Sequence, residues 1–160
     1  MHSADAIDYA IMEKLQENGR TRRNDLAEMV GLSIPSVSER LKKLEEGGYI
    51  TGYYAKLDHK KVGRDITAFI YVFVDSSRHY QTFVEHAIAL DEVIECHAIT
   101  GDGSHMLKIR TENTSTLETL LGKIQSWTGV NGTKTNLVLS TTKETTHVKL
   151  TTPARKGETK

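Results

Sequence analysis

The chain is 160 residues long and 38% hydrophobic, with 21 basic side chains balanced by 21 acidic ones. That length admits one medium domain or two small ones, and the charge balance excludes a globally basic nucleic-acid binder. The first 60 residues hold 9 basic and 10 acidic side chains, so any contact with nucleic acid must come from a local cluster.

The one cysteine, Cys96, lies in an apolar run and reads as a buried small hydrophobe. Without an intramolecular partner it fits a reducing, cytoplasmic setting. No apolar stretch approaches the ~20 residues that cross a bilayer. The start, Met1-His2-Ser3-Ala4-Asp5, lacks the basic and apolar regions of a signal peptide.

The first third reads as helices. Ile7, Ile11 and Leu15 recur every four residues, with Asp5 near the start and Asn18-Gly19 at the end. A second short helix is predicted from about Asn24 to Val30 and is stopped by Gly31. Ser33 offers an N-cap oxygen, and Pro35 falls in the first turn of a third helix, where its missing N–H costs nothing. That helix continues through Glu46 to Gly47-Gly48.

The character changes at Tyr49. Tyr49 to Ala55 is rich in aromatic residues and reads as a short strand, and Asp58 to Asp65 reads as a linker. Strands are then predicted for Thr67–Val74, Val93–Thr100, His105–Thr111 and Thr133–Thr141. Helices are predicted for His79–Leu90 and for Ser115–Trp127, the latter capped by Ser115. Gly101-Asp102-Gly103 joins the second and third of these strands as a hairpin. The order β-α-β-β-α-β is the split βαβ pattern, so the fold class is α+β with a ferredoxin-like C-terminal half. Its helices cover one face of the sheet, and the open face is expected to find a partner by oligomerisation. The tail from Thr151, with Pro153 and Gly157, is expected to be disordered.

The N-terminal third carries chemistry. Ala27 is small enough for a helix–helix crossing, Gly31 permits a tight turn, and Val37 plugs the gap between the helices. These are the anchors of a helix-turn-helix. At ~100° per residue the third helix turns Pro35, Ser36, Glu39, Lys42 and Lys43 away from its apolar stripe, with Ser38 and Arg40 on the flanks. Early residues of such a helix reach base edges in double-stranded DNA, and lysine or arginine meets phosphate. The free N–H groups after Ser33 and the arginines at 20, 22 and 23 add to this grip. The candidate DNA-binding residues are Arg22, Arg23, Ser33, Pro35, Ser36, Ser38, Glu39, Arg40, Lys42 and Lys43. Ser36, Ser38 and Arg40 are the leading candidates for base contact. Glu39 either accepts from cytosine or pairs with Lys42 or Lys43, and the ion pair is favoured.

Several segments then resemble the Lrp/AsnC (feast/famine) family of transcription regulators over roughly residues 4 to 145. The resemblance rests on Asp5-Ala6-Ile7-Asp8, Gly31-Leu32-Ser33, the run from Val37 to Glu45, and Gly48-Tyr49-Ile50. In the second half it rests on Glu95-Cys96, Thr100-Gly101, and Gly129-Val130 leading to Thr133 and Thr135. It implies a winged helix-turn-helix (1–52), a strand-containing hinge (53–65), a ferredoxin-like effector and oligomerisation domain (66–145) and a tail (146–160). It also implies homodimers that assemble into tetramers or octamers, and an amino-acid effector. The implied effector residues are Thr100, Gly101, Asp102, Gly103, Ser104, His105, Thr133 and Thr135. An acidic residue is common in the family where this chain has Ser104, often followed by an aromatic one where it has His105, so the effector's identity stays open. The bland reading of Gly101-Asp102-Gly103 is a hairpin turn alone.

Two other classes compete with a regulator. One is an architectural DNA-binding protein without a sensor. The other is an enzyme, yet no nucleophile-elbow, Walker or His-Glu-x-x-His motif is present. The predicted hairpin could bring Cys96, His97 and His105 near one another, but residues 96 and 97 point to opposite strand faces, so neither a metal nor a cofactor is expected.

Overall fold

The computed structural model describes residues 3–151. The disorder expected beyond Thr151 lies outside the described residues. The chain forms two compact units, residues 3–56 with 143–151, and residues 57–142.

The first unit is built on three helices, α1 (Ala6–Glu17), α2 (Arg23–Val30) and α3 (Ile34–Glu46). Asp5 caps α1 by accepting hydrogen bonds from the backbone of Ile7 and Asp8, while Asp8 accepts from the backbone of Asp5. This reciprocal arrangement satisfies donors that the first turn leaves unpaired. Gly31 ends α2 at φ +67°, the left-handed conformation that glycine adopts without steric cost. Two residues later Ser33 caps α3 on the backbone of Ser36. Ile11, Leu26, Val37 and Leu44 are almost fully buried where the helices meet, and Ala27 and Leu41 pack beside them.

Around this unit two segments differ from expectation. No strand forms between Tyr49 and Ala55, because a strand needs a ladder partner and none lies beside it among the described residues. Tyr53 instead turns its hydroxyl to Glu45, and burial together with that carboxylate pushes its pKa up to about 12. The chain after Thr142 groups with the helical unit rather than with the sheet. The Gln16 amide donates to the Val148 carbonyl at 3.0 Å and accepts from the Val148 N–H at 2.7 Å. His147 meets Glu13, and Leu150 packs on the helical core.

The second unit runs β1 (Ile66–Val74), a 3-10 turn (Ser77–His79), α4 (Tyr80–Ile88), β2 (Val93–Ala98), β3 (His105–Thr111), α5 (Thr114–Gln125) and β4 (Val130–Leu137). The sheet order is β2-β3-β1-β4 and all pairs are antiparallel. This is the α+β, ferredoxin-like arrangement the element order anticipates. The cap of α5 is Asn113 with Thr116, two residues upstream of the expected Ser115, since Asn113 supplies the better-placed side-chain acceptor. The last strand is also shorter than expected and closes at Leu137.

Ala68, Ile70 and Val72 of β1 and Leu107 and Ile109 of β3 face Phe83, Ala87, Leu120 and Ile124 of the helices. Alternation along β1 therefore puts Phe69, Tyr71 and Phe73 on the opposite face. His105 is enclosed on the helix side, with its ring 4.8 Å from Tyr80 and 4.6 Å from Phe83. Burial lowers its pKa below the ordinary value of 6.5.

An imidazole depressed in this way stays neutral in the fold while the unfolded chain takes up a proton near 6.5. The stability it permits is complete above that pH and is lost as pH falls through the lower folded value. Thermal melts between about pH 7 and pH 5 should therefore show a steeper fall in Tm for the wild type than for His105→Phe. Parallel profiles would remove His105 as the cause.

Candidate functional site

The exposed side of α3 is the first candidate. Val37, Leu41 and Leu44 are buried, which turns Pro35, Ser36, Glu39, Lys42, Lys43 and Glu46 to solvent. Ser38 and Arg40 lie between the two sides and are half-buried. The Ser33 and Ser36 hydroxyls share a hydrogen bond of 2.8 Å at the helix start. Glu39 pairs with Lys43 at 2.8 Å and Lys42 with Glu46 at 3.7 Å, so the ion-pair alternative for Glu39 is the one present. Its hydrogen bond from Lys43 holds the Glu39 carboxyl below the ordinary range. Exposed pairs of this kind are weak and give way readily to a phosphate. Arg22 and Arg23 open α2 and are exposed.

Arg40, on the flank of α3 and a leading candidate for base contact, is engaged within the protein. A single guanidinium nitrogen, Nη1, donates to Asp5 Oδ2 and to Asp8 Oδ1, both at 2.8 Å. The Asp8 side chain is fully enclosed and that of Arg40 is 25% exposed. Burial alone would raise the Asp5 carboxyl, but hydrogen bonds from the Asp8 backbone and from Arg40 outweigh it and hold it low. Nothing in the local spacing of α3 signals this pairing, since Asp8 lies 32 residues away. The one hint was Asp5-x-x-Asp8 itself, a capping pattern with an acidic third residue. An open cleft of about 320 Å³, lined by Asp5, Leu32, Ser36, Glu39, Arg40 and Lys43, runs beside the pair.

The loop between β2 and β3 is the second candidate. Gly101 and Gly103 take φ +99° and +95°, which favours glycine at both. At Gly103 a Cβ would also stand 3.0 Å from the Val72 carbonyl oxygen, because the loop crosses the end of β1 there. Ser104 secures the crossing. Its hydroxyl donates to the Val72 carbonyl and accepts from the Val74 N–H, both at 3.2 Å, and lies 3.0 Å from His105 Nδ1.

The polar groups of Ser104 and His105, both expected at the effector, thus serve the loop's own fold. Thr100, Gly101 and Asp102 are exposed. Thr133 accepts from Gln125 on the helix side of the sheet, and Thr135, opposite Ile70, shares that side. Lys134 stands beside this loop without having been among the residues expected there. It pairs with Tyr71 across the ladder and so shares the outer face, and its Nζ lies 3.6 Å from Asp102 Oδ2. Among the described residues, no group of three or more His, Cys, Asp or Glu side chains is arranged to hold a metal ion, and no helix is long and apolar enough to cross a membrane.

Comparison with known proteins gives these two sites a common frame. Residues 5–51 match the model of a winged helix-turn-helix DNA-binding domain, and residues 67–148 match that of the Lrp/AsnC ligand binding domain. The chain is 35% identical over 146 residues to the HTH-type transcriptional regulator FL11 of Pyrococcus abyssi, covering 91% of this chain and 96% of the relative. It is 34% identical to the leucine-responsive regulatory protein of Haemophilus influenzae, over 88% of this chain and 87% of that one. Among solved structures, AsnC of E. coli superposes with a TM-score of 0.84 at 30% identity, covering 91% of this chain and 99% of that one. A Neisseria meningitidis transcriptional regulator solved with L-methionine gives 0.86 at 30% identity, covering 92% and 97%. The chain belongs to the Lrp/AsnC family: it is a helix-turn-helix transcriptional regulator, not an enzyme, with a DNA-binding domain joined to a ligand-binding one.

Proposed function

We propose that the chain reads duplex DNA with the outward face of α3 and answers to an α-amino acid held by the loop between β2 and β3. The observation that carries the DNA half is the exposure of Ser36, Glu39, Lys42 and Lys43 on one side of α3, opposite the buried Val37, Leu41 and Leu44. The open N-terminus after Ser33, with Pro35 in its first turn, approaches a phosphate, and Arg22 and Arg23 grip the backbone from the start of α2. Ser36 and Ser38 reach base edges. A neutral chain binds DNA in this way because the local field, not the net charge, meets the phosphates.

The effector half rests on Asp102 and Lys134. An α-amino acid carries one ammonium and one carboxylate, and these two exposed side chains present the opposite charges 3.6 Å apart. Asp102 takes the ammonium and Lys134 the carboxylate, while Thr100 and the backbone of Gly101 and Gly103 shape the approach. The role an acidic residue would play at Ser104 passes to Asp102. The Neisseria relative solved with L-methionine supports this ligand class. A second copy of the chain covers the outer face of the sheet, whose apolar residues Phe69, Tyr71 and Phe73 no helix of this unit shields. Such dimers assemble further into tetramers or octamers.

Three measurements check these assignments. Replacing both Lys42 and Lys43 by alanine should make the plot of log affinity against log salt shallower by about 1–2, at roughly 0.9 per lost phosphate contact. An unchanged slope would contradict the assigned face. In calorimetric titrations with the twenty amino acids, at least one should bind, and Asp102→Asn should weaken it by about tenfold or more. Equal affinity in the variant would count against the clamp. Light scattering should give at least twice the monomer mass, falling toward the monomer in Tyr71→Glu, which buries a charge in the sheet contact. A wild-type chain that is monomeric at all concentrations would refute the assembly.

A further inference from the structure

The reading of α3 leaves one cation on its flank unexplained. Arg40 has the residue type and position of a DNA contact, yet its charge is directed into the protein. One nitrogen bridges a fully enclosed carboxylate, Asp8, and the N-cap carboxylate, Asp5. Asp5 in turn holds the first turn of α1 through the backbone of Ile7 and Asp8. The hydrophobic driving force is non-directional, whereas a charge-assisted hydrogen bond sets a distance and a direction. The bridge therefore adds to the apolar core of this unit a directional link between α3 and the start of α1.

We infer that Arg40 is a positioning residue for DNA recognition, aiming α3 through Asp8 and Asp5 and touching neither base nor phosphate. The inference rests on the reading of α3 as the helix that enters the groove. Loss of the bridge then lets α3 reorient by a small angle. Contacts to base edges, which depend on angle, weaken. Phosphate contacts made by long lysine side chains adapt, because those side chains have rotamers to spare.

The full-length wild type is first used to select a preferred duplex from a random library. Affinity for that duplex and for random DNA is then measured across a salt series, well below the Tm of every variant. Arg40→Ala and Asp8→Asn should each weaken the preferred duplex about tenfold or more, leaving random-DNA affinity and the salt slope as in wild type. Their Tm should fall by roughly 10 °C. Arg40→Lys should recover part of the preference, since a single nitrogen makes both bonds and an ammonium can stand near its place. This variant also keeps the test open if Arg40→Ala does not fold.

The agreement of Asp8→Asn with Arg40→Ala is decisive, because an enclosed carboxylate has no route to DNA. A general loss of stability would not change the ratio of preferred to random binding in a protein that is fully folded. The inference is overturned if Arg40→Ala makes the salt slope shallower by about 0.9, or if Arg40→Lys binds the preferred duplex no better than Arg40→Ala. It is equally overturned if Asp8→Asn binds the preferred duplex as wild type does. Failure of the underlying α3 reading is distinguishable, because then the double lysine variant leaves the slope unchanged.

Discussion

A carboxylate without access to solvent, that of Asp8, places a strict demand on the helical unit. A buried charge must be paired or hydrogen-bonded, and removing the partner of a buried pair costs about 3–5 kcal/mol, far more than an exposed pair contributes. Among the donors that meet this demand are the backbone N–H of Asp5 and the guanidinium of Arg40. The first begins α1 where it begins. The second ties α3 to that same point. The outward face of α3 follows from this arrangement, because Val37, Leu41 and Leu44 close the core beneath it.

The sheet unit meets a comparable demand with neutral groups. A loop crossing the end of β1 must satisfy the strand's last polar groups, and the Ser104 hydroxyl does so by donating to Val72 and accepting from Val74. Two glycines in the left-handed region let the chain approach closely enough. The polar groups of Ser104 and His105 are thereby committed to structure, while Asp102 and Lys134 stay exposed beside them.

The segment after Thr142 shows the same economy. The Gln16 amide presents a donor and an acceptor side by side to the backbone of Val148, as a neighbouring strand would. Leu150 then adds to the helical core. The helical unit is consequently assembled from both ends of the chain, and two covalent connections join it to the sheet unit.

Much of this was legible in the residues alone. The helix-turn-helix could be read because its signals are local: Gly31 stops one helix, Ser33 caps the next two residues on, and Pro35 fits the first turn. The order of strands and helices from Thr67 onward could be read for the same reason, from periodicity within each segment. Side-chain destinations could not. Arg40 meets Asp8 across 32 residues, Ser104 meets Val72 across 32, and Val148 meets Gln16 across 132. A hydrogen bond forms wherever folding brings donor and acceptor together, and spacing along the chain carries no record of that meeting. The expected strand after Tyr49 failed on the same ground, since strand propensity supplies no partner. Local spacing told which residue types each segment offers, and packing chose which of them remain free to act.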